Sequence, residues 1–329
     1  MNTATALRPA SETDLESLVA MFNRESLALT GTEEFTAHDV HDEWSAPGFS
    51  LAEDTRVIED DSSPIGYVEV WNNSKPHVRP VAWVSIDPSV DDDEPARRLL
   101  LWAKERALEK LHLAPDDARV IFQTFALERD QPGIRRITSL GMTEQRRYYR
   151  MEIDLDTGIA EPNVPEGYTI RTMRPDEARA TYHSIHLAFA DHYGRPRNTD
   201  EDEQFNEWKH YFVESAEFDP ELIFVAEHQS GELAGASVCW PRRGPNAEMG
   251  WVDELGVIPG HRKQGVAEAL LRHSFMEFMK RGKKTAGLGV DATSLTGATR
   301  LYEKCGMHVV RTTISFEEEL RSGVDYRKQ

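Results

Sequence analysis

The sequence predicts an α/β protein made of two copies of one domain, and three observations carry that reading. Short alternating or apolar runs that suit strands are interleaved with longer stretches showing the one-sided apolar stripe of amphipathic helices. The order of these elements repeats: Leu7-Arg8 recurs as Ile170-Arg171 and Gly141-Met142 as Gly306-Met307, 163 and 165 positions apart. Each half closes on a strand and an acidic-Leu pair, Asp154-Leu155 and Glu319-Leu320. A stretch with Pro, Gly and Asn between about Thr157 and Gly167 separates the halves. The expected domains are therefore 1–156 and 168–329, joined by a linker over 157–167.

In the first half, Ala6 to Pro9 reads as a short strand and Glu12 to Arg24 as a helix with Leu15, Leu18 and Met21 or Phe22 inward. A second helical stretch lies near Thr36 to Trp44. Strands follow at Thr55–Glu59, Ile65–Trp71 and Val81–Ile86, then a helix from Pro95 to Leu111 and a strand from Ala118 to Phe125. A short helix from Gln131 to Leu140 and a final pair of strands ending at Leu155 complete this half. The second half runs from the strand Thr169–Arg171 through helices near Asp176–Phe189 and Glu201–Ala216 to strands Leu222–Glu227 and Glu232–Trp240.

Composition bounds the function. The 329 residues suffice for two cores, with 39% hydrophobic and 29% charged residues. No apolar run approaches the roughly 20 residues of a membrane span, and the N-terminus lacks a basic start and an apolar core, so a cytoplasmic protein is expected. The formal net charge of −19 argues against nucleic acid as a partner and leaves room for a cationic amine. Cys239 and Cys305 form neither a disulfide framework nor a Cys-x-x-Cys pattern and read as buried small side chains. His183 and His186 lie three apart on a helix without the Glu of a His-Glu-x-x-His site, so no metal is expected.

The strongest local signal spans Gly250 to Met307. A strand containing Met249, Trp251, Val252, Leu255 and Val257 leads into the basic turn Pro259-Gly260-His261-Arg262-Lys263-Gln264-Gly265, followed by a helix from Val266 to Arg281 closed by Gly282. Ala267, Leu271, Phe275 and Phe278 form its buried stripe, and no Ser, Thr, Asp or Asn caps its start. Its first N–H groups, the positive end of the helix dipole, a glycine that admits close approach, and Arg262 and Lys263 alongside make an anion site suited to a pyrophosphate. A solvated surface turn is the plainer alternative at this point.

After the strand candidate Thr285–Val290 comes Asp291 to Met307, and here the chain resembles the GCN5-related N-acetyltransferase (GNAT) superfamily. That family's Arg/Gln-x-x-Gly-x-Gly/Ala pattern is matched by Arg262, Gly265 and Ala267. Its later Ala-x-x-Leu-Tyr-x-x-x-Gly-Phe signature is matched by Ala298, Leu301, Tyr302 and Gly306, with Met307 for the Phe and Ser294 where an Asn usually stands. The resemblance implies two tandem acyl-CoA N-acyltransferase domains, each a mixed, mostly antiparallel sheet flanked by helices, in an arrangement similar to that of the mycothiol synthase-like members. It implies an acetyl-CoA cosubstrate, no metal, and a small-molecule primary amine as acceptor. The residues it assigns to coenzyme A are Leu255, Val257, Arg262, Lys263, Gln264, Gly265, Val266, Ala267, Ser294, Ala298 and Tyr302.

Only the second copy keeps these features. Laying Val84–Ser89 over Leu255–Gly260 puts Asp91 at the place of Arg262 and Glu94 at that of Gly265. The carboxylates of Asp91-Asp92-Asp93-Glu94 repel a pyrophosphate and can cap their own helix, while Pro95 removes an N–H donor. Ile137 replaces the signature tyrosine. The first domain is expected to be structural.

Acetyl transfer to an amine requires a neutral nucleophile, a polarised carbonyl and a proton for the departing thiolate. Deprotonating a primary amine at pH 7 costs roughly 4 kcal/mol, which a nearby base offsets. The strand before the phosphate loop supplies Asp253 and Glu254. Neighbours on a strand point to opposite faces unless a bulge intervenes, and counting back from Val257 favours Asp253, with Glu254 second. The resemblance implies carbonyl polarisation by N–H groups near Leu255 and Val257 and protonation of the thiolate by Tyr302. Phe189, Asp191, His192, Tyr193, Trp208, Tyr211, Trp240 and Trp251 could enclose the acceptor amine or belong to the core. A longer acyl donor, a protein amine, or a non-catalytic acyl-CoA-binding module remain open alternatives.

Overall fold

The computed structural model describes residues 6–195, 200–214, 219–294 and 297–327. Its first half contains helices α1 (Leu15–Thr30), α2 (Ala37–Trp44) and α3 (Leu51–Asp54), strands β1 (Thr55–Asp60), β2 (Ser63–Trp71) and β3 (Val81–Ile86), α4 (Glu94–Glu109), β4 (Val120–Leu127), α5 (Gln131–Ser139) and β5 (Thr143–Asp154). The second contains β6 (Tyr168–Thr172), α6 (Ala178–Phe189), α7 (Glu201–Phe212), β7 (Ile223–His228), β8 (Leu233–Trp240), β9 (Met249–Val257), α8 (Val266–Lys280), β10 (Thr285–Asp291), α9 (Ala298–Lys304) and β11 (His308–Arg321).

The chain forms two compact units that are not contiguous in sequence. Unit 1 is Met1–Tyr148 with Arg311–Tyr326, and unit 2 is Tyr149–Val310 with Arg327–Gln329. The divisions expected at 156 and 168 therefore differ from the packing: each half gives much of its last strand to the other unit. In unit 1 the sheet order is β1-β2-β3-β4-β11, and β11 pairs antiparallel with β4 from Thr313↔Leu127 to Arg321↔Val120. In unit 2 it is β6-β7-β8-β9-β10-β5, with the Leu155 N–H donating to Lys284 O at 2.8 Å. Apolar burial explains the exchange. Ile314 and Phe316 complete the unit 1 core around Leu99, Ala103 and Phe122, while Met151, Ile153 and Leu155 enter the unit 2 core with Leu271, Phe275 and Phe278.

The sheets are mixed as expected, with parallel pairs β3–β4 and β9–β10 among otherwise antiparallel neighbours. Several boundaries moved. Helix α1 continues past Arg24 to Thr30, where Gly31 at φ 81° ends it in the left-handed conformation. The strand expected at Ala6–Pro9 is a single bridge, Arg8↔Val57, and the pair of strands expected before Leu155 is one continuous strand. Helix α7 ends at Phe212, and Ala216, to which it was expected to run, lies outside the described residues.

The duplication is visible in side-chain chemistry as well. Arg8 binds Asp14 and Glu59, and Arg171 binds Glu177 and Glu227, so the same arginine clamp ties the first segment of each half to the helix and strand that follow.

Candidate active site

Strands β9 and β10 pair only from Met249↔Thr285 to Val252↔Leu288, although both continue further, so the sheet of unit 2 forks beyond Val252. The Ile258 N–H donates to Ala234 O on the β8 side. By strand alternation, Val257 and Leu255 turn their backbone groups the other way, into the fork. Val257 O there accepts from Arg262 Nε at 3.1 Å.

Helix α8 begins at the mouth of the fork. Gly265, its N-cap at φ 90°, offers no side-chain acceptor, and Lys263 also lies at positive φ, 61°. Among the described residues the N–H groups of Lys263, Gln264 and Gly265 have no acceptor within the chain. This loop with its uncapped helix end presents open N–H donors of the kind that suit a phosphate. Lys263 is exposed beside it, whereas Val266 is buried and anchors the first turn.

Arg262 is engaged within the chain. Its guanidinium binds Asp191 at 2.6 and 3.1 Å, Ala188 O at 2.9 Å and Val257 O, so it shapes the loop by tying it to α6. The same bond removes Asp191 from the groups facing an acceptor. A second brace was not legible in the sequence: the Tyr168 hydroxyl meets His261 Nδ1 at 2.6 Å and donates to Gln264 Oε1 at 3.1 Å, and His261 Nε2 meets Glu232 at 3.0 Å. Its partners are up to 96 residues apart, and no local pattern announces them.

The acidic pair on β9 is resolved by a bulge. Val238 pairs with Glu254 and Cys239 with Val252, which leaves Asp253 as the extra residue on β9. The alternation that placed Asp253 on the face of Val257 is therefore broken. Val252 packs in the core under α8, whereas Glu254 lies opposite Val238 in the core under α6 and α7. There the buried Trp208 donates its indole N–H to Glu254 Oε2 at 2.9 Å. Burial pushes the Glu254 carboxyl up to about 7; the Trp208 bond pulls it down, nearby Asp253 raises it and Arg195 lowers it. Asp253 is exposed at its surface, and desolvation of its carboxyl raises its pKa against the opposing pull of Arg243 and Trp251. Of the two carboxylates, Glu254 is the half-buried, indole-bound one.

Aromatic rings surround that carboxylate. Trp208 packs on Tyr182 and Phe212, with ring centroids 5.8 and 5.5 Å apart, and Phe212 on Trp240 at 5.8 Å. Tyr211 meets Trp240 edge-on at 5.3 Å. Gly256 admits this layer, because a Cβ there would lie 2.7 Å from that of Ala188 on α6. Phe189 holds His192 edge-on at 4.7 Å, and Tyr193 follows in the same turn. Trp251 is set apart from this layer, under the guanidinium of Arg243 at 4.7 Å.

Across the fork, Ser294 ends a turn from Asp291, and Ala298 opens α9 after Gly297 at φ 71°. Tyr302 is buried in the α8-side core, and burial beside Cys305 pushes its hydroxyl up to about 12. Cys239 and Cys305 are free and buried. His183 is bound to Glu201 at 2.8 Å, and no three potential metal ligands converge among the described residues.

Unit 1 carries the corresponding fork without its cradle. Asp92 accepts from the Glu94 N–H at 3.0 Å, Asp93 holds Arg136 at 2.5 Å, Pro95 stands in the first turn of α4, and Ile137 is buried at the tyrosine position. The N–H of Ile86, counterpart of Val257, donates to the Glu25 carboxylate at 3.1 Å.

Residues 182–307 match the acetyltransferase (GNAT) family. The chain is 32% identical over 182 residues to a mycothiol acetyltransferase of Thermobispora bispora, covering 54% of this chain and 59% of that protein. It is 31% identical over 187 residues to a mycothiol acetyltransferase of Streptomyces avermitilis, covering 55% and 56%. It thus spans little more than half the length of these curated relatives. A GCN5-related N-acetyltransferase from Sphaerobacter thermophilus superposes with a TM-score of 0.84 at 27% identity over 99% of this chain and 98% of its own. A tandem GNAT protein from the clavulanic acid biosynthesis pathway shares the fold, with a TM-score of 0.74 at 13% identity over 97% and 100% of the two chains. The forked sheet and the uncapped helix thus lie within the residues that match the GNAT acetyltransferase family, in a chain that shares the fold of a tandem GNAT protein.

Proposed function

We propose that unit 2 is an acetyl-CoA-dependent N-acetyltransferase for a small-molecule primary amine and that unit 1 transfers no acyl group. The observation that carries this reading is the uncapped α8 N-terminus opening onto the β9–β10 fork, with an indole-bound Glu254 on the neighbouring face. The small-molecule acceptor is supported by the relatives named mycothiol acetyltransferases, and the aromatic layer around Glu254 suits an amine with an apolar or ring-bearing body.

The residues fit the cosubstrate. The N–H groups of Lys263 to Ala267, with the Lys263 ammonium, would hold its pyrophosphate, and Leu255 and Val257 would line its arm from one side with Ser294 and Ala298 from the other. When bound, acetyl-CoA supplies an activated thioester carbonyl. Glu254 accepts the proton of an incoming ammonium, directly or through water, and its pKa near 7 suits that exchange at neutral pH. The fork-facing N–H groups of Leu255 and Val257 stabilise charge developing on an acyl oxygen. Tyr302 keeps its proton throughout the working pH range and delivers it by position, not by acidity.

Calorimetric titration with acetyl-CoA, followed by an amine screen for acetylation, tests the reading. One site per chain and amine-dependent release of free thiol are expected. Two sites per chain would overturn the assignment of unit 1, and binding without acetylation of any amine would make the protein an acyl-CoA-binding module.

A further inference from the structure

Superposing the repeats strand by strand sets Ile65–Trp71 of β2 against Ala234–Trp240 of β8, with Gly66 on Gly235 and Trp71 on Trp240. In unit 2 the cross-strand pair beside the aromatic layer is Val238 on β8 and Glu254 on β9. In unit 1 the corresponding pair is Glu69 on β2 and Trp83 on β3. The carboxylate has moved one strand over and stays on the same face of the sheet. It also keeps its kind of partner: the Trp71 indole donates to Glu69 Oε1 at 2.8 Å, as Trp208 does to Glu254, and the Tyr67 hydroxyl donates to the other oxygen at 2.8 Å.

The surroundings of Glu69 suit a ligand better than a closed core. Trp83 is 48% exposed although it sits mid-strand, and it stacks on Phe125 at 4.7 Å and 12°. On the other side Trp71 stacks on Phe49 at 4.3 Å and 15°. Glu69 lies between these two stacks and is 8% exposed. Among the described residues no Lys, Arg or His is paired with it, and burial pushes its carboxyl up while the Trp71 and Tyr67 bonds pull it down, so a cation arriving there would meet an acid with no ionic partner. Aromatic faces flanking such a group form a receptor for an organic cation.

We propose that this face of unit 1 binds a small organic ammonium ion, with the charged nitrogen against Glu69 and the organic body against Trp83. Unit 1 would thus have lost the phosphate cradle and kept an amine-binding face, and it would hold an amine without acylating it. The inference does not depend on catalysis by unit 2.

The test uses the full-length protein, benzylamine as the probe and benzyl alcohol as its neutral counterpart, followed by the indole N–H resonances in proton–nitrogen correlation spectra. Benzylamine is expected to shift the Trp71 and Trp83 signals, and benzyl alcohol to bind about tenfold more weakly or less. Glu69→Gln and Trp83→Ala should each weaken benzylamine about tenfold, and Glu254→Gln should leave these two signals' response intact. Trp83 is exposed, so its replacement reports on binding even if Glu69→Gln disturbs folding. Shifts confined to Trp208 and Trp240, equal binding of the alcohol, or no response at millimolar benzylamine would each overturn the proposal.

Discussion

Glu254 concentrates the proposed chemistry in one side chain, and its titration makes that testable. Acting as a base, it works deprotonated, so kcat/KM should rise with pH through about 7 and level off above it. Glu254→Gln should lower kcat about 10²-fold with little change in acetyl-CoA affinity. The Trp208 hydrogen bond lowers the Glu254 pKa, so Trp208→Phe should move the acid limb to higher pH, as a pH–rate profile would show. An unchanged limb would assign Trp208 to packing alone. The clamp at Arg171 supplies a stability counterpart. Its hydrogen bonds hold Glu177 at about 2, below the ordinary 4.5. A depressed carboxylate contributes stability that is present above the unfolded value and is lost as pH falls from about 4.5 to about 2. Screened by solvent, that contribution is about 1 kcal/mol, so Glu177→Gln should lower stability to denaturant by that amount at pH 7 and by almost nothing near pH 2.

Among the elements, α8 and its preceding loop carry the proposed anion site. Gly265 holds φ 90° with open space around the position of a Cβ, the nearest atom being Pro165 Cγ at 3.5 Å. A side chain there is therefore penalised by backbone strain of about 1–2 kcal/mol and not by a clash. Gly265→Glu, which copies unit 1, adds a carboxylate to the cradle as well. Acetyl-CoA binding by calorimetry should fall by at least about 100-fold while the fold persists, and normal binding would show that the cosubstrate lies elsewhere. The element-level change in unit 1 runs the opposite way. Asp92 takes the Glu94 N–H and Glu25 the Ile86 N–H, so the chain itself satisfies donors at the first fork.

At the level of the whole molecule, the strand exchange sets how the chain can be divided. A fragment ending at residue 156 keeps β4 but lacks Arg311–Tyr326, so it loses Ile314 and Phe316 from its core and leaves the β4 edge unpaired. It should be unfolded or aggregated, and co-expression with residues 157–329 should restore soluble material. A cooperative melt of the isolated fragment resembling that of the intact chain would contradict this. The contiguous repeats in sequence thus do not coincide with the two compact units.

The repeat, the mixed sheets, the uncapped α8 and the loss of the cradle in unit 1 were legible in the sequence, because each depends on local pattern. Apolar periodicity selects helix or strand, Gly265 reports a backbone demand, and the acidic run Asp91–Glu94 carries its charge wherever it folds. The tertiary structure decided what depends on register and on distant partners. One extra residue at Asp253 put Glu254 and not Asp253 opposite Val238, since a bulge breaks the alternation on which counting relies. Arg262 was drawn to Asp191, 71 residues away, and β11 entered the other unit because each core needed the apolar strand of the other half.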